Sequence, residues 1–413
     1  MARLKRPTPL FDTLSNFKSE SSKNPLLIDH PERQKEFELA IDFIKQYDGS
    51  EATFRSYRRE IERLLQWTWL VADKSILELK RQDIEHYIEF CKKPPKSWIG
   101  VKNVARFVTK DDQRVPNPEW RLFVASVNKA DFKKGIRADK TEYALSQKSI
   151  REIFTVTSSF YSHLMNEGAI DVNPVLLIRQ KSKYFMKRQS PPKIPRLTER
   201  QWNFCIKVAE ELAAKNPEKH ERTLFIMTLL YLMYLRISEL VATKRWQPQM
   251  GHFYKDSNNY WWFVTVGKGN KERVISVSDE MLQALRRYRK HLNLTPLPSP
   301  GETTPLLAPH RGKETITSTE HIRKIVQECF DRAAFRLRTK GHAEDADALE
   351  HATVHWLRHT GISDDINMRG RPESHVRDDA GHSSILITDR YNDITLKERY
   401  LSGKKKGVRS RQK

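Results

Sequence analysis

The chain has 413 residues, 38% hydrophobic and 31% charged, and 74 Lys and Arg against 52 Asp and Glu give a formal net charge of +22. That length predicts two domains, each with its own core. The charge makes a polyanion the expected partner, with an anionic membrane surface, or no such partner at all, as the alternatives. No apolar stretch approaches the ~20 residues of a spanning helix, and no apolar run follows the basic start to form a secretion signal. Cys91, Cys205 and Cys329 are too few and too widely spaced for a disulfide framework or a zinc site, so a cytoplasmic setting is expected.

In chain order, residues 1–34 are polar and read as an N-terminal arm, mobile or ordered on docking. Phe37, Ala40, Ile41, Phe43, Ile44 and Tyr47 then recur at helical spacing until Asp48-Gly49 stops them. Ser50 is the expected cap of a second helix, with Phe54, Tyr57, Ile61, Leu64 and Leu65 on one stripe. Arg55, Arg58, Arg59 and Arg63 decorate its remainder, and the first three are candidate DNA contacts. Further helices are predicted over Asp83–Cys91 and Ser149–Asn166, so residues 35–178 read as an all-helical domain carrying an insertion at about 94–145. Residues 179–200 hold eight Lys or Arg, one acid and three prolines. Proline favours extended chain, which makes 179–196 a basic linker, with Lys181, Lys183, Lys187 and Arg188 as candidate phosphate contacts.

A second domain spans 197–402 and opens on a capped helix at Leu197-Thr198-Glu199. An apolar run over 222–242 carries Arg236, read as a helical arginine, with Glu239 three residues on. Tyr260–Val266 and Lys271–Val277 read as strands joined by Gly267-Lys268-Gly269-Asn270. Helices are expected at 317–338, 353–367 and 386–400, followed by a basic tail at 403–413. The fold class is mainly α with a small β-sheet.

The chemistry-bearing residues are Arg236, Lys268, His355, Arg358, His382 and Tyr391. A phosphodiester attacked by oxygen gains negative charge on its non-bridging oxygens, and arginine forks suit that charge. Tyrosine ionises only near pH ~10, so nearby guanidiniums and a base are needed to activate it. Lys268, at a hairpin tip, is a candidate donor to a leaving oxygen, with Lys271 and Arg273 as rivals and further candidate DNA contacts. Each residue alone also fits a bland role: an Arg236–Glu239 ion pair, a packed tyrosine, a solvated lysine. His351, His355 and His359 at four-residue spacing suggest a metal face, but no HExxH or carboxylate partner accompanies them. No metal and no cofactor is expected, and His359 reads as a structural hydrogen-bonder.

Taken in order, these residues resemble the tyrosine recombinase (phage integrase) family: Leu235-Arg236-Ile237-Ser238-Glu239-Leu240, then Lys268 in its hairpin. His355-Trp356-Leu357-Arg358-His359-Thr360 follows, then Gly381-His382 with Tyr391 nine residues later. The resemblance spans about 197–400, and Thr53–Trp67 and Ser149–Pro174 are similar to the family's helical core-binding domain. It implies a site-specific recombinase whose two domains clamp duplex DNA. Arg236 and Arg358 would hold the phosphate with His382, Tyr391 would attack to give a 3′-phosphotyrosyl bond, and His355 would assist its proton. Lys268 would protonate the 5′ oxygen and Glu239 would orient Arg236. It further implies a homo-tetramer on paired sites, with accessory DNA-bending proteins among the partners, and integration or excision of a mobile element; a separate arm-binding domain is not expected. A type IB topoisomerase and a non-catalytic DNA binder are the alternatives. Asp378-Asp379-Ala380 departs from the family, which usually places bulky apolar residues before Gly-His.

Overall fold

The computed structural model describes residues 5–17, 26–28, 30–178, 184, 194–267, 269–309, 312, 314–391, 400 and 403–404. The chain forms two compact units, Met1–Ser190 and Pro191–Lys413.

The first unit is built on α1 (Pro31–Lys45), α2 (Glu51–Trp67), α3 (Arg81–Lys92), the short α4 (Lys129–Lys133) and α5 (Gln147–Asn166). The apolar stripes read from the sequence face inward: Phe37, Ile44, Ile61, Leu65, Ile88, Ile153 and Phe160 are all buried in one core. Ser50 caps α2 by accepting from the Thr53 N–H. The unit is not all-helical, because the insertion folds into two small β pairs. β1 (Ile99–Gly100) lies parallel to β4 (Phe123–Val124). β2 (Phe107–Lys110) pairs antiparallel with β3 (Gln113–Pro116) through Asp111 and Asp112. Both turn residues have positive φ, 48° and 57°, the twist that a two-residue hairpin requires.

Residues 5–17 are not a free arm. Leu10 and Phe11 are buried, and Phe11 stacks on Phe37 at 5.0 Å between ring centroids. The fully buried Glu62 carboxylate accepts from the Leu10 N–H at 2.5 Å and pairs with Arg106 of the insertion. Arg114, also in the insertion, grips Asp12 with two bonds of 2.9 and 2.7 Å. The insertion therefore fastens the N-terminal segment to α2. Arg58 belongs to the same fastening: it is buried, donates to the Asp12 carbonyl, and burial lowers its pKa to about 10. Arg63 is buried as well, paired with Glu60 at 2.7 Å and lying over the Phe123 ring. These two side chains hold the unit together and do not decorate its surface. At the C-terminal end of the unit, Tyr184 of the expected linker is buried against Phe154.

The second unit contains α6 (Glu199–Lys215), α7 (Pro217–Leu232), α8 (Asp279–His291), α9 (Thr319–Thr339), α10 (Ala343–Glu350), α11 (Val354–Asn367), α12 (Glu373–Ala380) and α13 (Ile385–Asp389). Its sheet runs β5 (Phe253–Lys255), β6 (Trp261–Val266), β7 (Glu272–Ser276), antiparallel throughout. Thr198 is the expected cap of α6, and it exchanges hydrogen bonds with Gln201 in a capping box. Gly361 lets α11 lie directly on α7: a Cβ there would meet the Tyr231 carbonyl oxygen at 2.0 Å. His351 caps the end of α10, so His351, His355 and His359 do not share a helical face. Among the described residues, no helix is long and apolar enough to cross a membrane.

Candidate active site

The apolar run after α7 breaks before Arg236. Tyr234 has φ of 49°, a conformation costly for a bulky side chain. Its phenol is held by the Asp365 carboxylate and by Arg371 at 3.0 Å. The turn aims the Tyr234 carbonyl at Arg358 and Arg273, which both donate to it. Arg236 is thus not a helical residue; it precedes a 3₁₀ turn, Ile237–Leu240, whose Glu239 is 1% exposed. Glu239 accepts from the Arg236 backbone N–H at 2.8 Å, the Arg236 guanidinium at 3.0 Å and Arg273 at 2.7 Å.

Arg358, on α11, is buried and donates to the Ala380 carbonyl at 2.6 Å. Burial, then Arg236 and Arg273, pull its pKa down to about 9, so it stays charged at neutral pH. Burial also lowers Arg273. These side chains surround a cleft of about 860 Å³, whose described lining carries Arg236, Lys271, Arg273, Arg358 and Arg390 against Glu272. A cleft with such an excess of fixed cations is built for an anion.

The end of α12, before His382, is secured by charge at the position where the family usually places apolar residues. The buried Asp379 accepts from Ser276 N–H at 3.1 Å, Ser276 Oγ at 2.7 Å and Arg371 at 2.7 Å. Arg371 also bonds Asp365 at 2.8 Å. This ion-pair chain fixes Ala380, whose carbonyl receives both Arg358 and Arg273. Gly381 follows at φ 63°, and a Cβ on it would sit 2.9 Å from Arg273 Cδ, so any other residue would be strained and would push Arg273 aside.

His355, His359, His382 and Tyr391 share the cleft wall. The Tyr391 ring is 3% exposed and stacks near-parallel to His382 at 5.8 Å, while Asn367 donates to its carbonyl at 2.8 Å. His382 Nδ1 is engaged with Thr388 Oγ1 at 2.9 Å. The phenol oxygen lies 2.5 Å from Nδ1 of His359, and His355 meets His359 edge-on at 4.3 Å. Burial raises the Tyr391 pKa even though Arg358, Arg390 and Arg236 oppose it, so the guanidiniums alone do not make a phenolate. Burial and cationic neighbours hold His382 at about 4 and His359 at about 3. His355 is lowered too, chiefly by burial.

The structure thus brings Arg236, Glu239, His355, Arg358, His382 and Tyr391 together. Lys268, and the linker residues Lys181, Lys183, Lys187 and Arg188, lie outside the described residues. Lys271 is exposed and lines the cleft, whereas the Arg273 side chain, which also lines it, is 8% exposed and tied to Glu239. Arg55 is exposed, and Arg59 is spent on Glu60 and Glu152 at 2.7 and 3.0 Å. Sequence reasoning missed the link from His359 to the phenol; its place one residue after Arg358 was the available signal.

Residues 195–398 match the model of the phage integrase family. Tyrosine recombinase XerC of Chlorobaculum parvum is 23% identical over 332 residues, covering 78% of this chain and 86% of its own. XerC of Thermodesulfovibrio yellowstonii is 27% identical over 258 residues, covering 61% and 73%. Among solved structures, XerH recombinase bound to its difH substrate in a pre-cleavage complex superposes with a TM-score of 0.52 at 10% identity, over 97% of this chain and 99% of that one. The Tn1549 transposon integrase in complex with transposon right end DNA gives 0.50 at 17% identity, over 89% and 98%. Residues 195–398 thus form a domain of the phage integrase, or tyrosine recombinase, family.

Proposed function

We propose that this protein is a site-specific recombinase that cuts and rejoins duplex DNA through a 3′-phosphotyrosyl intermediate on Tyr391. The observation that carries this reading is the placement of the Tyr391 phenol in one cationic cleft with Arg236 and Arg358. Those guanidiniums hold the scissile phosphate and stabilise the charge that grows on its non-bridging oxygens, a contribution of about 3–4 kcal/mol per donor in comparable sites. Glu239 keeps Arg236 in place, His382 adds a hydrogen bond to the phosphate, and Lys268 protonates the departing 5′ oxygen. Exposed Arg55 and Lys271, with Lys181, Lys183, Lys187 and Arg188, contact the backbone of the duplex. The phosphotyrosyl bond conserves the energy of the broken linkage, so rejoining requires no nucleotide cofactor. Four copies act on two paired sites. Integration or excision of a mobile element is the proposed use, on the strength of family resemblance.

The test is covalent capture. A randomised library of nicked duplexes is incubated with the protein, denatured, and the retained DNA sequenced. One recurrent sequence, joined to protein through its 3′ phosphate, is the expected result; plasmids carrying two copies then report integration or excision from their products. Relaxation of supercoiled plasmid with no preferred sequence points instead to a topoisomerase, and no adduct on any DNA refutes the enzyme reading.

A further inference from the structure

The geometry points to His359, and not His355, as the catalytic residue that takes the phenolic proton from Tyr391. This rests on the reading of Tyr391 as nucleophile. Three imidazoles surround the phenol, and their hydrogen bonds separate their roles. His382 Nδ1 is committed to Thr388, and His355 presents its ring to His359. Among the described residues, His359 Nδ1 is the ring nitrogen within hydrogen-bond distance of the phenol oxygen, at 2.5 Å. With its own proton on Nε2, that imidazole accepts from the phenol. Both partners are fixed from behind: His359 rides on α11 beside Arg358, and Asn367 of the same helix holds the Tyr391 carbonyl at 2.8 Å.

The step balances without a further reactant. As Tyr391 Oη forms its bond to phosphorus, its proton passes to His359 Nδ1, giving an imidazolium. The bond from phosphorus to the 5′ oxygen breaks, and that oxygen takes a proton from Lys268. Rejoining reverses both transfers. The imidazolium is opposed by burial and by His355, Arg358, His382 and Arg390, while burial keeps the proton on Tyr391. A DNA phosphate between Arg236 and Arg358 brings the negative charge that lifts this opposition. Proton transfer is thereby tied to the presence of DNA, and the free enzyme carries no exposed phenolate.

The experiment measures single-turnover adduct formation on the nicked duplex captured by the wild-type protein, between pH 5 and 9. Wild type is compared with His359→Ala, His359→Gln, His355→Gln and Lys268→Ala, each checked by thermal melting and by binding to the same duplex. We expect His359→Gln and His359→Ala to slow cleavage by about 10²-fold or more, and added imidazole to rescue His359→Ala. Replacing the 5′ bridging oxygen by sulfur, a leaving group that needs no acid, should rescue Lys268→Ala and leave both His359 variants slow. If Ala at this position does not fold, the Gln variant and the sulfur substrate decide the matter. Folded, DNA-binding His359 variants within threefold of wild type overturn the proposal, as does rescue by the sulfur substrate. No adduct from wild type, or an adduct from Tyr391→Phe, refutes the nucleophile reading itself and is seen separately.

Discussion

Glu239 is the residue on which the second unit's charge balance turns. It is 1% exposed and stands between Arg236 and Arg273, with bonds of 3.0 and 2.7 Å to their guanidiniums and 2.8 Å to the Arg236 backbone. Glu239→Ala leaves the buried Arg273 facing Arg236 with no carboxylate between them. Breaking a buried pair by removing one partner costs about 3–5 kcal/mol. For a unit of this size each kcal/mol lowers the melting temperature by roughly 2–4 °C, so a drop of about 10 °C is expected. Glu239→Gln keeps one acceptor oxygen and should lose about half as much. Pairing Glu239→Gln with Arg273→Met removes the orphaned charge together with its partner, and should recover much of the stability but not the cleavage rate. Thermal melting and adduct formation, measured on the same preparations, separate the two effects. If Glu239→Ala melts within 2 °C of wild type, or if the double variant is less stable than the sum of its singles, Glu239 is not the counterion assigned here.

Other consequences are smaller in scope. Gly381→Ala meets both a positive φ and Arg273 Cδ at 2.9 Å; it should destabilise by about 1–3 kcal/mol and slow cleavage by displacing His382. Arg58→Ala should lower the melting temperature of the first unit while leaving the salt dependence of DNA binding unchanged, because Arg58 is buried on the Asp12 carbonyl. The exposed Arg55, changed to Ala, should reduce the salt slope by about one without loss of stability. His359 and His382 titrate below the ordinary histidine value, at about 3 and about 4. The unfolded chain therefore binds protons that the folded site refuses, and stability should fall as pH drops from about 6.5 toward 4. A His359→Gln, His382→Gln double variant should show a flatter melting profile over that window.

The helices were legible because their apolar residues recur at helical spacing and polar caps such as Ser50 and Thr198 mark their starts. The site residues were legible because Arg236, His355, Arg358, His382 and Tyr391 keep a characteristic order. What escaped depends on contacts between distant residues. Leu10 and Phe11 looked like part of a polar arm, yet Glu62 and Arg106 reach them from far along the chain. Asp379 looked misplaced before Gly381 until Arg371 and Ser276 were found beside it. Arg58 and Arg273 looked like surface cations, because sequence gives a charge without saying which carbonyl or carboxylate awaits it. β5, three residues long, carries no alternation to read. The expected helix at 386–400 is seen as Ile385–Asp389, and 392–399 lie outside the described residues.

The most direct test of the central claim is mass spectrometry of the protein–DNA adduct after nuclease and protease digestion. The account predicts a nucleotide joined through its 3′ phosphate to the peptide containing Tyr391, and no adduct from Tyr391→Phe. A nucleotide on any other residue, or one joined through its 5′ phosphate, would contradict it.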